Sequence, residues 1–473
     1  MKFKPILKFK PICFLWSAVL WLSVHPLSVS QHSFAQAIPS QAFKNVTLHF
    51  ADGTTLPKAT IIWRNGVIES AGARVNIPFD AKIIDGGDSL HVYPGFIDGL
   101  TEWAMPEISR ERTPVPNPGY PGYDRAGIQP LRNPHEMVVA ASKDFSDWRK
   151  LGFTTAAVSP RGFMLPGAVD VMGIHNEGTG DAGKLVLPSI AQRASLSSAP
   201  GVNPSTTMGV MARYRQLFYD TEAYQTNHRL FSAKPEAYQA PEIDEVLAAM
   251  IPVIKGERRL FFVADNVEDI RRAIKLKREF GLNLVLVSGR QAGQIAEELK
   301  AENIPVLVSF NLAAKPEHMK KGAAADSTKE QNAEKALHQQ RQAQAWSQDA
   351  INVQQLLKAG VQVGYAGIGL RSTDFQQKVK DLIEMGLSEN NLLKIMTMQT
   401  ARILGYPTLM GDLKTGMLAG FTVYTAPLLD SKTKLMYSIS SGDLKHYSST
   451  ASGSDRSNTA RGSAPRTTVE GEK

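Results

Sequence analysis

The feature that most constrains this chain is a rhythm. Short apolar runs alternate with helical stretches from His91 to Tyr365. Val92 to Ile97, Phe153 to Val158, Leu260 to Ala264, Leu284 to Val287, Ile304 to Ser309 and Val361 to Tyr365 each read as a buried strand. Helical segments sit among them: one contains Trp148, one runs Val267 to Phe280 with Gly281 as its stop, and one runs Ala292 to Lys300. A strand that is apolar on both faces needs cover on both faces, and helices between strands supply it. The pattern therefore predicts βα units and a parallel sheet. Six strands are visible in this way. Closure at eight is natural for about 300 residues, so the expected fold is α/β, a TIM-like (β/α)8 barrel.

The rhythm differs at both ends of the chain. Val46 to Phe50, Ala59 to Trp63, Val67 to Ala71 and Lys82 to Asp85 read as short strands, with turns at Asp52-Gly53 and Asn65-Gly66. Phe421 to Thr425 and Met436 to Ser440 return to that pattern. The expected organisation is a β-sandwich module built from both ends, over residues 38–90 and 406–448, flanking a barrel over residues 91–405. The polar segment Ser449 to Lys473 reads as a disordered tail. Residues 314–347, rich in Lys, Glu, Gln and Ala, read as a solvated helix on the barrel exterior.

Residues 1–37 read as a signal peptide. Lys2, Lys4, Lys8 and Lys10 precede a thirteen-residue apolar core, Ile12 to Val24, and Ala35-Gln36-Ala37 offers a small-residue cleavage site before Ile38. A membrane-spanning helix needs about 20 apolar residues, so the expectation is an exported protein, periplasmic or secreted, with no span after cleavage. Cys13, the only cysteine, lies inside this segment, so the mature chain has no thiol chemistry and no disulfide. The four signal lysines account for half of the net charge of +8. The remainder is scattered, which argues against nucleic acid as a partner.

At Tyr93-Pro-Gly-Phe-Ile-Asp98 the chain resembles the amidohydrolase superfamily, most closely its imidazolonepropionase-like branch. In that branch the first barrel strand runs Pro-Gly-Phe-Ile-Asp-x-His-x-His. Met396-Thr-Met-Gln-Thr-Ala-Arg-Ile-Leu-Gly405 and Gly411-Asp-Leu-Lys-Thr-Gly416 resemble the last barrel helix and the return to the sandwich. The stretch from Val267-Glu-Asp-Ile270 to Gly289 follows the pattern too, so the resemblance covers residues 42–447. It implies hydrolysis of C–N bonds other than linear peptide bonds. A divalent metal such as zinc, held by histidines and carboxylates at the C-terminal ends of the strands, would activate water.

The metal-facing positions depart from that pattern. Leu100 and Glu102 stand where the paired histidines belong. Val263-Ala264-Asp265 lacks the histidine of relatives, Ser288 replaces another, and Ile368 takes the place of the aspartate that activates water. No two mature-chain histidines are spaced i, i+2 or i, i+4, and each reads as a surface or satisfied core residue. Glu102, Asp265 and Ser288 are the candidate pocket residues, expected near the barrel mouth. Glu102 and Asp265 form a possible carboxylate pair for a cationic group or acid–base work. Asp265 and Asn266 equally suit capping of the next helix, and Ser288 a strand-to-helix turn. The Pro-, Gly- and Tyr-rich loop Thr113 to Arg132 suits a lid or an Ω-loop. Gly167-Ala-Val-Asp170 and Gly178-Thr-Gly180 read as turns, and neither has P-loop spacing.

Three readings follow. The first is an exported pseudo-amidohydrolase without cofactor, binding a small molecule or pairing with an active relative. The second is an active C–N hydrolase of a small amide, cyclic urea or dipeptide, with zinc in an unusual site around Glu102 and Asp265. The third is a structural or surface-assembly role.

Overall fold

The computed structural model of the chain describes residues 38–109, 114–139, 142–175, 183–319 and 333–447. The expected signal peptide, the tail and the turn Gly178-Thr-Gly180 lie outside the described residues. Among the described residues no helix is long and apolar enough to cross a membrane.

The strands, in chain order, begin with β1 (Gln41–His49), β2 (Thr55–Arg64), β3 (Val67–Gly72), β4 (Lys82–Asp85) and β5 (His91–Pro94). They continue with β6 (Phe96–Thr101), β7 (Phe153–Val158), β8 (Gly167–Gly173), β9 (Lys184–Ser195), β10 (Arg259–Ala264), β11 (Leu284–Ser288), β12 (Val306–Ser309) and β13 (Val363–Ala366). The chain closes with β14 (Phe421–Tyr424), β15 (Leu435–Ser440) and β16 (Asp443–His446).

Both chain ends build the first sheet, in the order β16-β15-β14-β5-β1-β2-β3, with β4 beside β1. The join is the antiparallel pairing of β5 with β14. The alternation read in the sequence becomes a core of large rings: Phe43 stacks on Trp63 at 5.5 Å between ring centroids, and Phe421 meets Trp63 edge-on at 5.2 Å. Asn65 and Gly66 both have positive φ, as the tight turn between β2 and β3 requires. That tip touches the turn between β15 and β16. A Cβ on Gly442 would lie 2.6 Å from the Gly66 Cα, so only glycines let the tips meet.

The second sheet runs β13-β12-β11-β10-β9-β8-β7-β6. A single apolar cluster gathers Ile97 and Leu100 of β6, Ala157 of β7, Val169 and Val171 of β8, Ala191 of β9, Phe261 of β10, Val287 of β11, Leu307 of β12 and Ala366 of β13. The cluster lines one face of all eight strands, and β13 packs against β6, so the sheet curls into a barrel with a packed interior. The end strands β6 and β13 are joined by a side chain. The Gly367 N–H donates to Asp98 Oδ1 at 2.8 Å, and a Cβ on Gly99 would lie 2.6 Å from the Tyr365 carbonyl oxygen. A helix with a π turn over Ile395–Gln399 backs this seam, and Thr400 Oγ1 accepts from the Tyr365 N–H. The Met396-to-Gly405 motif thus holds the last barrel strand in place.

The barrel differs from the expectation in four ways. The run Val92 to Ile97 is two strands, because Pro94 and Gly95 carry the chain from one sheet to the other. Two further strands, β8 and β9, complete the ring. The expected turn at Gly167 to Asp170 is part of β8, which runs antiparallel to β7 and β9, so the barrel is not all-parallel. β8 and β9 follow one another as an antiparallel pair, and that ladder replaces one crossover helix. The expected helix Ala292 to Lys300 is broken into a 3-10 turn, Ala292–Ile295, and a helix, Ala296–Ala301. The helix Thr207–Ala233, capped by Thr206 Oγ1 on the Gly209 N–H, follows β9. Of the exterior helix expected over residues 314–347, the described residues show a 3-10 turn, Glu317–Met319, and a helix, Ala333–Lys358, that buries Trp346, Ala350, Val353 and Leu356 on one side; residues 320–332 lie outside the described residues.

One buried cation ties barrel to sandwich. Arg149 ends the short helix Asp144–Arg149 before β7 and is fully buried. It donates to Ser438 Oγ, to the carbonyls of Ser438 and Asp443, and to Asp443 Oδ2 at 2.9 Å. His175 and Arg149 together hold the Asp443 carboxyl down to about 2.

Candidate functional site at the barrel mouth

The inner face of each strand continues past the apolar interior to the C-terminal rim. In β6, Gly99 and Leu100 together oppose Ala157, a bulge that turns Leu100 and then Glu102 inward. Two residues beyond the interior residues Ala157 and Ala191 come Ser159 and Arg193, and two beyond Phe261 comes Val263. Two beyond Leu307 and Ala366 come Ser309 and Ile368.

The polar part of this rim is one constellation. Arg193 Nη1 donates to Glu102 Oε1, to Ser159 Oγ at 3.2 Å and to the Pro160 carbonyl at 3.1 Å. Arg193 is 9% exposed and Glu102 26% exposed. The Glu102 carboxylate is thus engaged by a cation from β9. The sequence reading had no strand at β9, so Arg193 was missed. Its signal was an arginine placed two residues beyond an inward alanine, in the stretch Ile190 to Ser195.

Asp265 lies exposed just past β10. The helix Val267–Phe280 is capped by its neighbour, since Asn266 Oδ1 accepts from the Asp269 N–H at 2.8 Å. Ser288 is buried at the end of β11 with φ of 74°, beside Gly289 with φ of 52°. Val285 and Val287 face the interior and Leu284 and Leu286 the outer layer, so the alternation assigns Ser288 to the outer side. No hydrogen bond or ion pair joins Glu102, Asp265 and Ser288 among the described residues. The loop after β6 is described from residue 114, and its far end is fastened. Ile128 bridges to Leu165, and Arg132 Nη1 donates to Gln129 Oε1 and to the carbonyls of Arg161 and Pro166.

The histidines pair only through the fold. His49 Nε2 and His91 Nδ1 lie 2.9 Å apart in the first sheet, and His49 stacks on Tyr93. Burial and His91 push His49 down to about 4. His135 Nδ1 lies 2.7 Å from the buried Asp170 Oδ2, and Asp170 Oδ1 accepts from the Ser189 N–H.

Asp98, the last residue of the Pro-Gly-Phe-Ile-Asp motif, is fully buried behind the rim. The N–H groups of Leu100 and Gly367 donate to its Oδ1, while Oδ2 and the nearby Tyr365 hydroxyl have no partner among the described residues. Burial outweighs those two hydrogen bonds and holds the Asp98 carboxyl well above the usual carboxylate range. Asp98 is a closure of the barrel, not a group presented to a substrate.

The metal implied by the resemblance requires converging imidazoles and carboxylates, and these residues do not fit one. Leu100 is fully buried in the apolar interior, and Ile368 and Val263 pack against the same cluster. Burying a leucine side chain contributes on the order of 2 kcal/mol, so the interior is stabilised by the residue that removes the ligand. Among the described residues no three His, Cys, Asp or Glu side chains come together as a ligand set.

No family model matches the sequence, and no curated protein matches it. Solved structures do. An amidohydrolase from Thermotoga maritima MSB8 aligns with a TM-score of 0.67 at 20% identity, covering 85% of this chain and 99% of that one. A prolidase complexed with N-methylphosphonate-L-proline aligns with a TM-score of 0.51 at 14% identity, covering 86% of this chain and 100% of that one. The chain shares the fold of these two structures. A barrel flanked by a sandwich from both chain ends is the architecture expected from the motifs, and at these identities the likeness is one of fold.

Proposed function

We propose that this chain is an exported amidohydrolase-fold protein that has left the metal-dependent hydrolysis of C–N bonds and uses its barrel mouth to bind a small molecule, alone or beside an active relative. The observation that carries the reading is the inner rim. Leu100 on β6, Val263 on β10 and Ile368 in the turn after β13 are packed apolar residues, and the charges beside them, Glu102 and Arg193, neutralise each other. General acid–base work needs a carboxyl free to exchange its proton with a substrate; Glu102 is instead held by a guanidinium.

Elemental analysis of the purified mature protein, after incubation with zinc, tests this directly. The reading expects no stoichiometric metal and no turnover in a screen of dipeptides including Xaa-Pro, N-acyl amino acids and cyclic ureas. One zinc per chain together with hydrolysis abolished by a chelator would sink it, and loss of that hydrolysis in Glu102→Gln would establish the active-hydrolase reading instead. Export is tested by N-terminal sequencing of protein recovered outside the cytoplasm: a start at Ile38 supports it, and a start at Met1 refutes it.

A further inference from the structure

The ligand-binding reading leaves open what the mouth binds, and Arg193 narrows the answer. A guanidinium has five N–H donors. Three acceptors, Glu102 Oε1, Ser159 Oγ and the Pro160 carbonyl, all gather on Nη1 and fix the plane of the group. The Nε–H is buried with no partner, and no described residue accepts from Nη2. The side chain is more than nine-tenths buried and stands two residues beyond Ala191 on the inward face of β9, which places the residue at the C-terminal rim of the barrel. A buried charged donor left without an acceptor is costly. The Nε–Nη2 edge is also the fork that matches two oxygens of one carboxylate.

We propose that the idle edge of Arg193 receives the carboxylate of a small organic monoacid. Three features of the mouth support this choice of ligand. The helices Val267–Phe280 and Ser372–Glu384 follow β10 and β13, so their N-terminal, positive ends lie at the mouth and favour an anion. Glu102 already neutralises the single charge of the guanidinium, so any ligand anion adds uncompensated charge to the site, and a dianion such as phosphate is disfavoured more than a monoanion. Val263 and Ile368, both half-buried at the rim, offer the rest of the ligand an apolar bed. The inference rests on the reading above only for the place of the ligand.

Calorimetric titration of the mature protein with benzoate, propionate and inorganic phosphate tests it, alongside melting curves for each variant. The organic acids are expected to bind and phosphate is not. Arg193→Lys, which keeps the charge and loses the fork, is expected to weaken benzoate binding by about tenfold or more. Glu102→Gln, which removes the competing anion, is expected to strengthen it by about fivefold. A purely structural Arg193 predicts no gain in Glu102→Gln, so this variant decides the matter if Arg193→Lys does not fold. Absence of organic-acid binding, or binding unchanged in Glu102→Gln, overturns the proposal. Hydrolysis and metal content are read separately: zinc-dependent turnover with benzoate binding intact defeats only the functional reading, and no binding with no turnover defeats only this inference.

Discussion

The seam between barrel and sandwich and the mouth of the barrel have kept different things. At the seam Arg149 makes four hydrogen bonds across to Ser438 and Asp443, and at the nearby barrel closure Asp98 Oδ1 joins β6 to Gly367 beyond β13. At the mouth the inward residues Leu100, Val263 and Ile368 are apolar, and Glu102 and Arg193 form an ion pair beside them. Both regions lie along the same strand, with Asp98 and Leu100 only two residues apart. A buried polar group that ties elements together is destabilising to remove, whereas a ligand position can become apolar and gain burial energy.

The comparison is broken most easily at Arg149. Arg149→Met removes four hydrogen bonds to Ser438 and Asp443 and leaves the Asp443 carboxyl with His175 alone, and chemical denaturation should show a loss of about 3–5 kcal/mol; a loss under about 1 kcal/mol would mean that the seam is not held this way. Next comes Gly367→Ala. A Cβ there would stand 2.1 Å from Asp98 Oδ2, so the barrel closure must shift, at a cost of about 1–3 kcal/mol. Away from both regions, Asn266→Ala removes the cap of the helix after β10 and should cost about 1 kcal/mol, whereas Asp265→Ala beside it should change stability little.

The smallest effect is one of shape. Folding raises the Asp98 pKa, so this group supports the folded state below its unfolded value near 4 and withdraws that support as pH rises toward the folded value. Unfolding curves of the parent protein should therefore lose stability with rising pH relative to Asp98→Asn, whose profile should be flatter over the same window. Parallel profiles for the two proteins would show that Asp98 is ionised in the folded state. His49 runs the other way. Its folded value is pushed down to about 4, so its contribution is present above about 6.5 and is lost as pH falls toward 4. His49→Phe should reduce the acid sensitivity of the sandwich.

Much of the architecture was legible in the residues. Apolar runs, Gly281 after its helix and the Asn65-Gly66 turn are local signals, because backbone geometry and burial of a strand on both faces constrain neighbouring residues directly. The motifs from Pro94 to Asp98 and from Met396 to Gly416 gave the order of the parts, and the substitutions at Leu100, Glu102, Ser288 and Ile368 were visible in the same way. What escaped was whatever depends on residues far apart. β8 and β9 were hidden because an antiparallel pair inside a barrel breaks the βα rhythm. His49 met His91, and His135 met Asp170, through strand pairing and packing that no spacing along the chain encodes. The Glu102 partner, Arg193, is 91 residues away. The sequence by itself determined that the histidine pair is missing from this barrel. Only the tertiary structure decided that Leu100 is packed into the apolar interior and that Glu102 is held by an arginine, because pairing and burial are set by distances in space and not by order along the chain.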